Sequence, residues 1–500
     1  MKNIFKYILV LVAAFSIVSC EKDFLDINVD PNNPAAEEGT PELIFPAAVA
    51  SSAVRIGGEY AILGGMWSQF WTQSNAANQY KYIDQYNVTT NNLNGSFQEI
   101  YAGALNDYNA VINKAEETEN WIYYLMGTVM KAYTMQVMAD LYDNLPYSEA
   151  FMGNENLTPS YDNGSAIYDA LLAELDVAMA TDLSSATNSK PGSKDFIFNG
   201  DVDSWLKFAN TLKLKMYLRM VNVDPTAAEN GVKAVFSSGI GFISIDAAMT
   251  QFEDAPDKSN PFYEYNFRQL NVATNLRASN TMMSYLISNG DPRIDAFYKE
   301  GSEGHFALYQ GQFSAPSTEV DPDKPSVAKQ SALEPVRFIS AAESYFMQAE
   351  AVERYGVAGD AKALYDLGVQ AAFSQFDFDP VLYGSLDLDP TNLIAVGGSY
   401  EYPTGAFEDK LEAIITQKWL SCVGSHSLEA YFETNRTGYP KYSAVKGSDP
   451  TYVAGELTYS LEGVTSGKFP KRVVYPDIEY SRNPNTPEKV DISTNVWWAK

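Results

Sequence analysis

Histidine and cysteine are almost missing from this 500-residue chain, with two of each. His305 and His426 cannot supply a histidine-rich metal centre. Cys20 and Cys422 do not make a disulfide framework, and neither is expected to pair. Positive charge is also scarce: 35 Lys and Arg face 63 Asp and Glu, for a net charge of −28. A surface so acidic is repelled by phosphate, which excludes nucleic acid as a partner, and no basic cluster is available for anionic lipid. The motifs of common chemistries are missing too. There is no GxSxG elbow, no Walker loop, no GxGxxG after a strand and no HExxH helix. Carboxylates are too numerous for any pair to be named as glycosidase acid and base, because their separation in space decides that. Asp377-Phe378-Asp379 and Asp387-Leu388-Asp389 alternate like calcium ligands but lack the glycine and terminal glutamate of an EF-hand, and read as solvated acidic loops. The expectation is a protein that is not an enzyme and that needs no cofactor or metal.

What is present is the composition of a folded protein, 46% apolar and 20% charged. Its length allows one large or two closely packed domains. Residues 1–19 read as a targeting segment: Lys2 and Lys6, then an apolar run from Tyr7 to Val18 that is too short to span a membrane. Its removal takes the net charge from −28 to −30, since those two lysines leave. The run ends Ile17-Val18-Ser19-Cys20, which resembles a bacterial lipobox with Cys20 as the lipidated residue. Two or three acyl chains on one cysteine anchor stably. The acidic Glu21-Lys22-Asp23 that follows resembles a surface-export signal. Residues 20–39 read as a tether, since Asp30-Pro31-Asn32-Asn33-Pro34 opposes helix.

From residue 40 onward the pattern is helical. Thr40-Pro41-Glu42 starts a helix to about Ile56, and a second begins near Tyr60. Four helix pairs follow, at about 96–145, 163–223, 338–374 and 405–434. In the first, Ser96 is the expected cap and Ile122, Leu125, Val129, Tyr133 and Val137 form the stripe. In the second, Trp205, Phe208, Leu212 and Met216 share a face, and Lys207, Lys213, Lys215 and Arg219 are expected at the surface. In the fourth, Leu411, Ile414, Ile415, Trp419 and Cys422 line one face, Gly424 stops the helix, and Ser427 is expected to cap the next. Cys422 reads as a buried small hydrophobe. Ser425-His426-Ser427 reads as a turn, not a nucleophile and base. The stretches 240–335, 375–404 and 440–500 are loop-rich. Two of them are long for loops of a compact domain, which points to function or to a packed subdomain.

Two stretches have a binding composition. The first interleaves Trp71, Tyr80 and Tyr82 with Gln73 and Asn78. The second is the run Phe262-Tyr263-Glu264-Tyr265-Asn266-Phe267-Arg268. Sugars offer an apolar face to flat aromatics and hydroxyls to amides and charged groups. The candidate ligand-binding residues are therefore Trp71, Gln73, Asn78, Tyr80, Tyr82, Tyr263, Tyr265 and Asn266.

Several segments resemble one known family. ITQKWL (415–420) leading to EAYFE (429–433) and NRTGYP (435–440) looks like the C-terminal signature of the SusD/RagB-like outer-membrane lipoproteins. That signature carries a pair of arginines, and Asn435 stands here in place of the first. The lipobox, DPNNP (30–34), MKAYTMQVMADLYDNLPYSEAF (130–151), GDVDSWLKFANTLKLKMYLRM (200–220), NGDPRIDAFY (289–298), SAAESYFMQAEA (340–351) and KRVVYPDIEYSRN (471–483) are similar to family segments in the same order. The resemblance implies an all-α-dominated fold, with four tetratricopeptide-like helix pairs and a loop-rich ligand-facing region. It implies a lipoprotein on the outer leaflet of an outer membrane, partnered by a SusC-like TonB-dependent transporter, to which it delivers a captured oligosaccharide. The same architecture with a peptide or another nutrient is the alternative, and a surface hydrolase is the third reading. The quoted motifs look structural, so no binding residue is carried over from them.

Overall fold

The computed structural model describes residues 39–270 and 274–499. The leader, Cys20 and all but the last residue of the tether lie outside the described residues. The chain opens with α1 (Pro41–Ile56) and α2 (Glu59–Trp67). The first helix pair joins α3 (Asn106–Glu117) to α4 (Trp121–Tyr142). It is entered through a short helix, Asn94–Glu99, and a π-helical turn, Ile100–Leu105. Next come α5 (Gly164–Met179), α6 (Val202–Arg219) and α7 (Pro225–Ser237). After α8 (Asn280–Asn289), α9 (Ala341–Tyr355) pairs with α10 (Ala361–Ser374), and α11 (Phe407–Ser421) with α12 (Ser427–Thr437).

Helix α4 is buried on nearly every face, as a helix apolar all round must be. It packs between α3 and α5. A smaller core sits between α9, α10 and α11, where Phe346, Tyr365, Phe373, Leu411 and Ile414 meet.

The expected surface position of Lys215 and Arg219 is corrected by the structure. Both are buried, inside a charge network that ties α4, α6, α9, α11 and α12 together. Arg219 pairs with Asp140, Glu429 and Glu433 at 2.5–2.9 Å. Lys215 reaches Glu343 and Glu429, Lys418 reaches Glu429 at 3.0 Å, and Arg436 joins Glu350 to Glu433. His426 Nε2 lies 2.7 Å from Glu343 and Nδ1 lies 3.0 Å from the Arg337 carbonyl. Each charge in this dry space is stabilised only because an opposite charge is within hydrogen-bond reach.

Two expected caps also differ. Ser96 lies within its helix and donates to Glu59. Ser427 donates back to the Gly424 carbonyl and makes no cap bond to α12. Cys422 is buried, as expected. Asp379 caps the turn Pro380–Tyr383 and accepts from Ser331, and Asp389 accepts from Thr391, so both aspartates hold turns.

Among the described residues there are two small sheets, most of whose strands fall in the stretch 240–335. β1 (Trp71–Gln73), β3 (Leu276–Ala278), β5 (Val327–Ala328) and β4 (Tyr298–Lys299) form one antiparallel sheet in the order β1-β3-β5-β4. β2 (Ala247–Met249) pairs with β6 (Val336–Ile339) in the other. The first sheet pins segments far apart in sequence: Trp71 faces Ala278, and Tyr298 faces Ala328.

Candidate ligand groove

That sheet brings the two aromatic–amide stretches to one region of the molecule. β1 leads into 74–80, and the chain just before β3 carries 262–270. The Tyr80 hydroxyl donates to the Tyr265 carbonyl at 3.5 Å. A groove of about 430 Å³ lies between 76–79 on one side and Gln269, Leu270 and Asn275 on the other, with Asn78 and Gln79 in its lining.

Several expected site residues nevertheless face inward. Trp71 is 1% exposed and packs on Phe262 with ring centroids 4.8 Å apart. Gln73 is fully buried: its Oε1 accepts from the Tyr80 amide at 2.7 Å, and its Nε2 donates to the Ser74 carbonyl at 3.2 Å. Tyr80 is 6% exposed. Asn266 is fully buried, and its side-chain amide has no hydrogen-bond partner among the described residues. These four hold the wall of the region and do not present a contact surface. Asp84 is buried beside β1 and fixes the strand. It accepts from the Thr72 hydroxyl at 2.7 Å, from the Gln73 amide at 2.8 Å and from Gln310. Burial pushes its carboxyl up to about 6, although these donors pull the other way.

Asn78 is exposed, and Tyr82, Tyr263 and Tyr265 are half-buried. The Tyr265 hydroxyl accepts from Arg55 at 2.5 Å. Tyr263 is the best placed. A short helix, Pro261–Tyr263, runs into a π-helical turn, Glu264–Arg268. Asn260 caps it by accepting from the Tyr263 amide at 3.1 Å. Tyr263 and Phe267 then stack, with centroids 5.0 Å apart and planes 23° apart. Arg268 lies over the Tyr263 ring at 5.3 Å and is itself held by Ser259 and Asp254.

The stacked pair forms one wall of a larger groove, of about 860 Å³. The opposite wall comes from β4 and β5 and the residues beside them, with Asp295, Lys299, Glu300 and Lys329. Lys329 donates to the Asp295 carbonyl at 2.9 Å and lies 5.1 Å over the Tyr383 ring. Burial draws its ammonium below the usual lysine range despite Asp295. The lining charges balance, two acids against two lysines. These four residues were absent from the sequence-based set. The i,i+4 spacing of Tyr263 and Phe267 was a readable signal for the aromatic wall; nothing local marked the charged one.

Among the described residues, no group of His, Cys, Asp and Glu is placed to hold a metal ion. None of the described helices is long and apolar enough to cross a membrane.

A family model described as starch-binding, associating with outer membrane, matches residues 33–460. The chain belongs to the SusD-like family. A search of curated proteins finds no match. Solved SusD-like structures superpose over almost their full length. A SusD homologue from Bacteroides uniformis is 25% identical, with a TM-score of 0.73 over 91% of this chain and 99% of its own. A chitin-binding SusD homologue from Flavobacterium johnsoniae is 22% identical, with a TM-score of 0.71 over 91% and 98%. A SusD-like protein from Bacteroides thetaiotaomicron is 22% identical, with a TM-score of 0.69 over the same shares. The expected helix-dominated SusD-like fold is therefore the observed one.

Proposed function

We propose that this SusD-like protein is a lipid-anchored capture subunit at the cell surface. It binds a neutral oligosaccharide in the large groove and passes it to a SusC-like TonB-dependent transporter, without catalysing a reaction. The observation that carries the reading is the Tyr263–Phe267 wall facing a charge-balanced polar wall across about 860 Å³. The rings suit the apolar face of a sugar, and Lys299, Glu300 and Lys329 suit its hydroxyls. A net charge of −28 disfavours sulfated or uronic polymers. The family description, and the chitin-binding homologue of the same fold, support a carbohydrate. The anchor at Cys20 and the transporter partner are part of this proposal.

Affinity electrophoresis and calorimetry on residues 21–500 against soluble starch, chitin oligomers and other neutral glycans test it. At least one glycan is expected to bind, and Tyr263→Ala to weaken it about tenfold, the effect of losing ~1.4 kcal/mol of stacking. Binding of peptides and of no glycan, or glycan affinity unchanged in Tyr263→Ala, overturns the reading.

A further inference from the structure

A second cleft repeats the device that builds the groove. It measures about 420 Å³ and is lined from the π-helical turn before α3, the loop 146–159 and the C-terminal helix Asp477–Arg482. It shares no lining residue with the groove. Here too an i,i+4 aromatic pair stacks beside a π-helical turn. Phe97 and Tyr101 have centroids 4.8 Å apart and planes 26° apart. π-Helical turns are rare and concentrate at functional sites. Phe151 extends the ladder, 6.1 Å from Tyr101 and tilted only 23°. It is half-buried in the cleft lining, as Tyr101 is.

Phe151 also stands at φ +62°. A bulky side chain in that region is a genuine outlier, and glycine would adopt it freely. Such strain persists only where the surrounding structure holds it, and it clusters at ligand sites. The rim is polar: Gln98, Asn106 and Arg482 are exposed at the mouth, and Glu479 is committed to the Tyr161 hydroxyl. The Tyr101 hydroxyl is likewise occupied, donating to the Pro146 carbonyl at 3.1 Å.

We infer that this cleft is a second carbohydrate-binding site, in which a sugar ring packs on Phe151 and is hydrogen-bonded by Gln98, Asn106 and Arg482. The choice of a sugar rests on the reading proposed for the groove, flat aromatics beside polar side chains; here the polar groups are amides and a guanidinium.

Site-resolved hydrogen exchange with maltohexaose and with chitohexaose separates the two sites. One of these sugars, at about ten times its Kd, is expected to slow opening of residues 97–106 and 478–483 about tenfold. Phe151→Gly keeps the backbone unstrained and is expected to abolish that protection, as is Arg482→Ala in part. Protection at 263–269 and 295–301 belongs to the groove and is expected to survive both changes. Protection of the groove alone overturns the second site and leaves the first. Protection of the cleft alone supports the second site and counts against the first. Cleft protection that survives Phe151→Gly, protection by peptides only, or none with either sugar, overturns the inference.

Discussion

Arg436 shows what a single residue does in this interior. It is 2% exposed and donates to Glu350 from Nη1 and Nη2, at 2.7 and 2.6 Å, and to Glu433 from Nε and the same Nη2, at 3.0 and 2.5 Å. Two carboxylates are thus kept ionised without water. Arg436→Met leaves both uncompensated, and is expected to cost about 3–5 kcal/mol. Arg436→Lys keeps the charge but loses the paired fork, and is expected to fall between. Thermal melts of the two variants check the order. The neighbouring Asn435 accepts weakly from Tyr442 at 3.4 Å. Little of the network was legible in the sequence. Lys215 and Arg219 look like surface residues on the helical period of 201–223. The partners that bury Arg219 stand 79, 210 and 214 positions away, and no local pattern carries that information. The same holds for Trp71 and Gln73: their composition is that of a binding site, but Phe262 and the Tyr80 amide hold them inside.

Elements were more readable than residues. Helices of 11 to 22 residues repeat their apolar positions several times, so period and caps place them. The strands of the β1-β3-β5-β4 sheet have two or three residues, too few for an alternation to register, and β1 pairs with β3 across some 200 positions. Close helix packing depends on small residues whose neighbours only the fold reveals. Gly64 on α2 shows this. A Cβ there would lie 2.4 Å from Leu428 Cα and 2.6 Å from Leu428 N on α12. Backbone cannot yield as a side-chain tip does. Gly64→Ala is therefore expected to destabilise by about 1–3 kcal/mol despite alanine's better helix propensity. Gly95, in the short helix Asn94–Glu99, has nothing within 4 Å of such a Cβ. Gly95→Ala is expected to raise stability by up to about 1 kcal/mol. Denaturant midpoints of the pair separate packing from propensity; a loss in both variants, or in neither, contradicts the assignment.

At the scale of the whole molecule, the buried carboxylates fall into two groups with opposite pH dependence. Burial pushes Asp84 and Asp140 up to about 6, in Asp140 against the pull of Arg219. Asp107 reaches about 6 through burial and the nearby Glu99. In the unfolded chain such groups titrate near 3.8. Between about pH 4 and 6 the folded state therefore holds more protons than the unfolded, so stability rises as pH falls through that window. The rise is up to about 1.4 kcal/mol per pH unit for each of the fully buried Asp84 and Asp140, and less for the half-exposed, solvent-screened Asp107. The second group runs the other way. Burial alone would raise Glu429 and Glu433. For Glu429 the charges of Arg219, Lys215 and Lys418 outweigh it, and for Glu433 those of Arg436, Lys418 and Arg219 do, holding both down to about 2. Their contribution is present above about 4.5 and is lost as pH drops toward 2. Relief of self-repulsion in a chain of charge −28 adds to the first trend. The thermal midpoint is accordingly expected to peak near pH 5, higher than at pH 7, and to collapse below about pH 4. Asp84→Asn is expected to flatten the rise between pH 7 and 5 without moving the acid collapse. A midpoint that falls steadily from pH 7 to 5 would show that Asp84 and Asp140 are ionised and compensated in the fold, and would remove the distinction between the two groups.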